Sequence, residues 1–453
     1  MKKIIPLLFI IFSFSESFAQ DISGQWNGVL KVPSSELRIV VNITKTEKGY
    51  ASTMDSPDQG AKGIPIVKTT FENNVLRLDI APQAGVVYEG KLNENKFTGK
   101  FTQNGQSLEL NLAKGNVQIL RPQEPKQPFP YYTEDVKFEN RNDQVTLAGT
   151  LSLPKKDGHF PAVILISGSG AQNRDEEMLQ HKPFLVLADY LTRKGIAVLR
   201  FDDRGFGEST GDFKSATTRD FAKDVQAGID YLKTRKEINK KKIGLIGHSE
   251  GGVIAPIVAG NSKDIAFIVL MAGTGIRGDK LLLLQKELIE RQMGVSEAEI
   301  KRGQDTYKEV YELITSSSAI DEKIKKDVKN VFESKLGLSD KIAEAYTAEI
   351  TNPWIYDFLK LDPVPYLEKV KCPVLAINGS KDLQVPPEAN LQNIEIALTK
   401  GGNKKVTIKT LPNLNHLFQE CKTGSQFEYG AIEETISPIA LEEISSWVLV
   451  QTK

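Results

Sequence analysis

Six apolar runs in the second part of the chain alternate with segments of helical periodicity, and this alternation restricts the fold more than any other feature. The runs are Ala162–Ser167, Ile196–Phe201, Ile243–Gly247, Phe267–Ala272, Val374–Asn378 and Val406–Thr410. Continuous stretches such as Val163-Ile164-Leu165-Ile166 suit strands buried on both faces of a parallel sheet. Between the runs, Arg219–Arg235 places Phe221, Val225, Ile229 and Leu232 on one helical stripe. Strand and helix in alternation predict a doubly wound α/β sheet. A hairpin over Val136–Leu153, turning at Arg141-Asn142-Asp143, precedes the first run. One interval breaks the alternation. Between Ala272 and Pro373 lie about 100 residues, helical in character from Lys280 to Ile350, far more than one crossover requires. That stretch predicts a helical cap inserted over the strand ends, at about 276–360.

The N-terminal part follows another pattern. From Asp21 to about Gly115 no helix is predicted. Short alternating runs occur instead at Leu37–Ile43, Val75–Ile80, Lys96–Phe101 and Leu108–Leu112, separated by turn signals such as Glu72-Asn73-Asn74, Asn93-Glu94-Asn95 and Asn104-Gly105. They predict an antiparallel β-domain, a small barrel or sandwich, over residues 20–120. Four prolines within Arg121–Pro130 predict a stiff, extended linker at 121–131, ahead of the α/β domain at 132–453. At the start of the chain, Lys2-Lys3, the apolar run Ile4–Phe14 and Ser17-Phe18-Ala19 have the layout of a signal peptide over residues 1–19. The apolar run is shorter than the roughly 20 residues a membrane span needs, so an exported protein, periplasmic or extracellular and without a transmembrane segment, is expected.

The bulk numbers exclude some classes. With 453 residues, more than one domain is expected. Lys+Arg and Asp+Glu both number 58, so no global field favours nucleic acid or an anionic membrane. A small-molecule or uncharged substrate fits that balance; oligomeric state is not encoded in it. The two cysteines, Cys372 and Cys421, are expected at opposite ends of the sheet and unpaired.

Gly247-His248-Ser249-Glu250-Gly251 carries the chemistry. It follows the strand Lys242–Ile246 and opens a helix at Gly251-Gly252-Val253. Small residues there permit a tight strand-to-helix turn that strains Ser249 and exposes its hydroxyl. A serine hydroxyl needs a base, and the chain has four histidines: His159, His181, His248 and His416. His159 and His181 fall in turns or loops, and His248 must point away from Ser249. Only His416 follows the last strand, which makes it the candidate base. Asp382, in Asn378-Gly379-Ser380-Lys381-Asp382, lies just past a buried strand and is the candidate acid. Asp357 and Asp362 precede that strand and so lie at its wrong end. The order Ser249, Asp382, His416 is that of the nucleophile-elbow enzymes. For an oxyanion, one backbone donor is expected at Glu250. The other belongs to Ser167-Gly168-Ser169-Gly170, with Ser169 preferred and Gly170 the rival. Arg174-Asp175 reads as a surface salt bridge or, alternatively, a contact for a substrate carboxylate. In the cap, Trp354, Tyr356 and Phe358 cluster before the sheet resumes, and Trp354 and Phe358 are candidate acyl-pocket residues.

Ser167–Gly170, Asp202-Asp203-Arg204-Gly205-Phe206-Gly207-Glu208-Ser209, Gly247–Gly252 and Asn378–Asp382 together resemble the α/β-hydrolase superfamily, more narrowly bacterial esterases near the serine-aminopeptidase-like and prolyl-oligopeptidase-like enzymes. The resemblance covers about 135–453. It implies a mostly parallel eight-stranded sheet with helices on both faces and a helical cap. It also implies hydrolysis of carboxylic esters through an acyl-enzyme, without metal or organic cofactor. The departure is Ser167-Gly168 where the family often has His-Gly at the oxyanion loop. A serine esterase acting on small or medium acyl chains is therefore expected. The alternatives are an exported serine peptidase of aminopeptidase or acylaminoacyl type and, less favoured, a binding protein without catalysis.

Overall fold

The computed structural model describes residues 21–32, 35–115 and 120–453; the expected signal peptide lies outside them. Contacts divide the chain into two units, one built on a ten-stranded antiparallel sheet and one on an eight-stranded sheet.

The second unit is built on β1 (Tyr132–Asn140), β2 (Val145–Leu153), β3 (Phe160–Ile166), β4 (Ala197–Phe201), β5 (Ile238–His248), β6 (Ile265–Met271), β7 (Val374–Gly379) and β8 (Val406–Leu411). Their order is β1-β2-β4-β3-β5-β6-β7-β8. Only β2 runs against its neighbours; from β4 through β8 every pairing is parallel. The carboxyl ends of the parallel strands therefore share one edge, where an open α/β sheet places its ligands. β5 begins five residues before the apolar run that announces it. Its first half, Asn239 to Lys242, is polar and partly exposed while Ile238 pairs with Phe160.

Helices cover both faces. On one side lie α1 (Pro183–Arg193) and, later in the chain, the C-terminal helix Pro438–Gln451, packed on Val163, Leu165, Val269 and Ile377. On the other lie α2 (Thr218–Thr234), α3 (Gly251–Asn261) and the helix Pro387–Lys400, packed on Ile164, Leu199, Leu245 and Leu270. The cap consists of α4 (Gly278–Gln292), α5 (Glu297–Ser316), α6 (Glu322–Leu336), α7 (Asp340–Ile350) and α8 (Pro353–Lys360). It has its own core around Val310, Ile314, Val328 and Phe332. The surplus of leucines in α4 has a packing explanation: Leu281 enters the core under the sheet, Leu283 packs on the cap core, and Leu282 touches both.

Two expectations are corrected here. The proline-rich segment does not stand free. Arg121 donates to the carbonyls of Leu179, Gly430 and Ile432 at 2.9–3.0 Å, and Gln123 joins Thr435 and Ile436. The segment is thus a strap pinned to the second unit by carbonyls that its side chains satisfy. In the first unit, the run Leu108–Leu112 is two strands, Gln106–Glu109 and Leu112–Lys114. The break at Leu110-Asn111 lets the second piece pair with both Lys96–Gln103 and Gly24–Val32, which closes the sheet into a barrel. Its interior is filled by Trp26, Leu76, Leu78, Tyr88, Phe97 and Leu112, each at most 1% exposed.

The turn after β4 is held by a buried ion pair. Arg204 grips Asp224 of α2 through Nε at 2.7 Å and Nη2 at 2.8 Å, and Asn140 donates to the same carboxylate. Arg204→Met leaves Asp224 buried and uncompensated, and should cost about 3–5 kcal/mol. Adding Asp224→Asn should restore part of that loss in denaturant titrations. A cost below about 1 kcal/mol for Arg204→Met alone would show that the pair does not hold the turn.

Candidate active site

Ser249 sits between β5 and α3 with φ at +52°, a left-handed conformation that a serine adopts only under constraint. Close packing supplies the constraint. A Cβ on Gly247 would lie 2.0 Å from the Gly251 carbonyl oxygen, one on Gly251 2.2 Å from the Ile166 carbonyl oxygen, and one on Gly252 2.5 Å from Gly273 Cα. No other residue fits those three positions. The amide of Ser249 is held by the Met271 carbonyl at 2.8 Å. Ser249 itself is partly exposed.

His416 and Asp382 are brought together. His416 Nδ1 donates to Asp382 Oδ2 at 2.8 Å, and both side chains are buried. Asp382 Oδ1 accepts the amides of Gln384 and Val385 at 2.8 and 2.9 Å. The carboxylate is thus fixed as the acceptor and Nδ1 as the donor, with Nε2 on the opposite side of the ring. Asn415, wholly buried, shapes this loop by accepting the amides of Leu417 and Gln419. The rival aspartates are elsewhere engaged: Asp357 pairs with Arg219 of α2, and Asp362 accepts the amide of Val364.

The loop after β3 is gripped from beneath. Asp203 accepts the Ser167 hydroxyl at 2.8 Å and the Gln172 amide at 2.9 Å, and Glu176 accepts the Gly168 amide at 2.7 Å. The Gly168 amide is therefore unavailable to a ligand, whereas Ser169 and Gly170 are exposed. Gly168 lies against Ser249, since a Cβ there would be 3.2 Å from Ser249 Cβ. Burial raises the Asp203 carboxyl to about 8, with Glu250 and Glu176 adding to it and the two hydrogen bonds opposing.

Glu250 is buried and accepts the Thr218 hydroxyl at 2.6 Å and the Trp354 indole N–H at 2.9 and 3.1 Å. Burial raises its pKa, against those bonds. Trp354 is half-buried, stacked on Phe358 with centroids 5.1 Å apart, whereas Phe358 belongs to the core. Arg174 and Asp175 do not pair with each other. Arg174 binds Asp202 at 2.8 Å and Asp175 binds Arg200, each bond tying the loop after β3 to β4 or its turn. Glu176, Asp203 and Gln172 were not singled out from the sequence. The signal for Gln172 and Glu176 was the dense polar run Gln172–Glu177 following a glycine-rich loop, and that for Asp203 its place in the motif Asp202–Ser209.

The model of the family described as serine aminopeptidase, S33 matches residues 182–420, more than half of the chain. The chain belongs to this family of α/β-hydrolases. It is 27% identical to esterase EstD of Thermotoga maritima over 438 residues, covering 95% of this chain and 87% of that protein. An uncharacterised Pseudomonas aeruginosa protein is 28% identical over 41% of this chain and 49% of its own length. Among solved structures, an esterase of Pyrococcus furiosus aligns with a TM-score of 0.44 and 18% identity, over 74% of this chain and 98% of its own. By its family and its similarity to EstD, the chain is a hydrolase.

The Asp203 carboxyl supports a pH test. In the unfolded chain it ionises near pH 4, but in the fold it keeps its proton to about 8. As pH rises between those values only the unfolded chain releases the proton, so this group's contribution to stability falls over that window and is level above it. Asp203→Asn removes the effect. The melting temperature of the variant relative to wild type should rise steadily from about pH 4 to pH 8; a constant difference would contradict the assignment.

Proposed function

We propose that this protein is a serine esterase that cleaves carboxylic esters of small or medium acyl chains, with Ser249 as nucleophile, His416 as base and Asp382 as its orienting acid. The observation that carries this reading is the His416–Asp382 hydrogen bond, which leaves Nε2 free in a loop bonded to the residue before Ser249. Ser249 Oγ attacks the ester carbonyl while His416 Nε2 takes its proton. The tetrahedral oxyanion is held by the N–H groups of Glu250 and Ser169, with helix α3 adding positive potential. His416 returns the proton to the leaving alcohol as the C–O bond breaks. Water, deprotonated by His416, then cleaves the acyl-enzyme to acid and free Ser249.

The preference for esters over peptides is supported by the whole-chain similarity to an enzyme named as an esterase. It is supported also by Glu250, whose carboxylate is taken up by Thr218 and Trp354 and so is not offered to a substrate ammonium. Trp354 lines the acyl site, and Phe358 backs it by stacking. We further read the chain as exported through residues 1–19, to the periplasm or beyond.

A fluorophosphonate should label wild type at Ser249 alone, and Ser249→Ala should be folded, unlabelled and inactive. Labelling of another serine would end the assignment. Asp382→Asn should lower kcat roughly 10⁴-fold. On a panel of p-nitrophenyl esters from acetate to palmitate beside aminoacyl p-nitroanilides, hydrolysis of short and medium esters should dominate. Anilides cleaved faster than every ester would establish the peptidase instead. Trp354→Ala should shift the preferred acyl length, whereas Phe358→Ala should mainly lower the melting temperature.

A further inference from the structure

His248, the residue before Ser249, is buried, and both its ring nitrogens face oxygen. Nδ1 lies 2.9 Å from Glu176 Oε1 and Nε2 lies 3.0 Å from the His416 carbonyl oxygen. A backbone carbonyl can only accept, so Nε2 carries a proton. Glu176 Oε1 also receives the Gly168 amide at 2.7 Å. An oxygen that already accepts one N–H suits a carboxylate taking a second from Nδ1. In that arrangement the ring is an imidazolium and its partner a carboxylate.

Glu176 reaches this place at a conformational cost. Its φ is +50°, a left-handed conformation unfavourable for a long side chain. The turn is closed by the Glu176 amide on the Asn173 carbonyl, and Asn173 Oδ1 accepts the amides of Asp175 and Glu177. Backbone strain, burial and a doubly used carboxylate oxygen coincide at one residue.

We propose that Glu176 and His248 form a buried ion pair that positions the oxyanion loop at Gly168 and the loop of the base at His416 against each other. The proposal rests on the esterase reading above. One pair joins three strand ends: the loop after β3 through Gly168, the end of β5 through His248, and the loop after β8 through the His416 carbonyl. The His248 ring stands 4.9 Å from the His416 ring, so the pair sits directly behind the base. The remaining neighbours fit this assignment. Asp382 faces His248 from the loop after β7, Asp203 faces Glu176 from the turn after β4, and Phe418 offers only its ring. Burial is the largest single influence and opposes charge on His248, but the Glu176 carboxylate, the His416 carbonyl and Asp382 together outweigh it and the ring's pKa is raised. Glu176 and His248 touch no reacting atom; they are positioning residues.

The test is histidine-selective ¹⁵N NMR of the wild-type protein from pH 6 to 9, beside Glu176→Gln. The four histidines make assignment by single substitution practical. His248 should keep both ring protons to a higher pH than the other three. In Glu176→Gln, which retains shape and an acceptor for Gly168 but no charge, His248 should lose a proton at lower pH. The alkaline limb of kcat/KM should move the same way, and kcat should fall on the order of 10²-fold with KM little changed. A neutral His248 at pH 7 in wild type would overturn the proposal. So would a variant with lowered activity and melting temperature but an unmoved alkaline limb. If the variant does not fold, the wild-type spectrum decides alone. The ring's protonation is read directly, so it stands or falls apart from the nucleophile, whose failure would appear as fluorophosphonate labelling away from Ser249.

Discussion

The tight turn from β5 into α3 is the constraint on which the site depends. Ser249 is held left-handed because Gly247, Gly251 and Gly252 let backbone approach backbone at distances that any Cβ would forbid. The turn lifts the hydroxyl out of the sheet, aims the start of α3 at the same point, and points the two neighbouring side chains away from it. His248 goes toward the loops after β3 and β8, Glu250 toward α2 and the cap. A strained elbow with free flanking side chains would be a weak scaffold. Both flanking side chains are buried and hydrogen-bonded, so surrounding elements over-determine the strain.

Buried polar pairs organise the loops at the carboxyl edge of the sheet. Asp382 orients His416, Glu176 links His248 to Gly168, Asp203 closes the loop Ser167–Gln172, and Arg204 holds the turn after β4 on α2. Such groups are costly to bury, and losing one partner of each is costlier still. They convert loops, which are otherwise the mobile part of an α/β protein, into fixed geometry. Proton transfer and oxyanion binding require positions held to about 0.5 Å, and apolar packing alone does not define hydrogen-bond directions.

How much of this was legible in the sequence follows from the kind of signal each feature leaves. The parallel strands announced themselves because burial on both faces demands apolar runs, and the elbow because only small residues close it. His416 emerged by elimination from four histidines. The polar start of β5 was hidden because edge exposure there relaxes the apolar demand. The strand break at Leu110-Asn111 was hidden because alternation continues unbroken through it while the pairing partner changes. The strap at Arg121 read as a linker because proline content reports stiffness, not docking. Glu176 and Asp203 were invisible in function because a carboxylate in a polar run looks the same whether it is solvated or folded beneath a loop. Trp354 and Phe358 both lie in α8, before the sheet resumes, and spacing alone did not separate the one bonded to Glu250 from the one in the core.

The proposed chemistry converges on one covalent event, the transfer of an acyl group to the hydroxyl of the strained serine. Wild-type protein mixed with p-nitrophenyl acetate, acid-quenched during the first turnover, digested and examined by peptide mass spectrometry, reads that event directly. An acetyl group on Ser249, absent after full turnover, is the expected result. An acetyl group on a different residue, or p-nitrophenol released in a burst with no acylated Ser249, would contradict it.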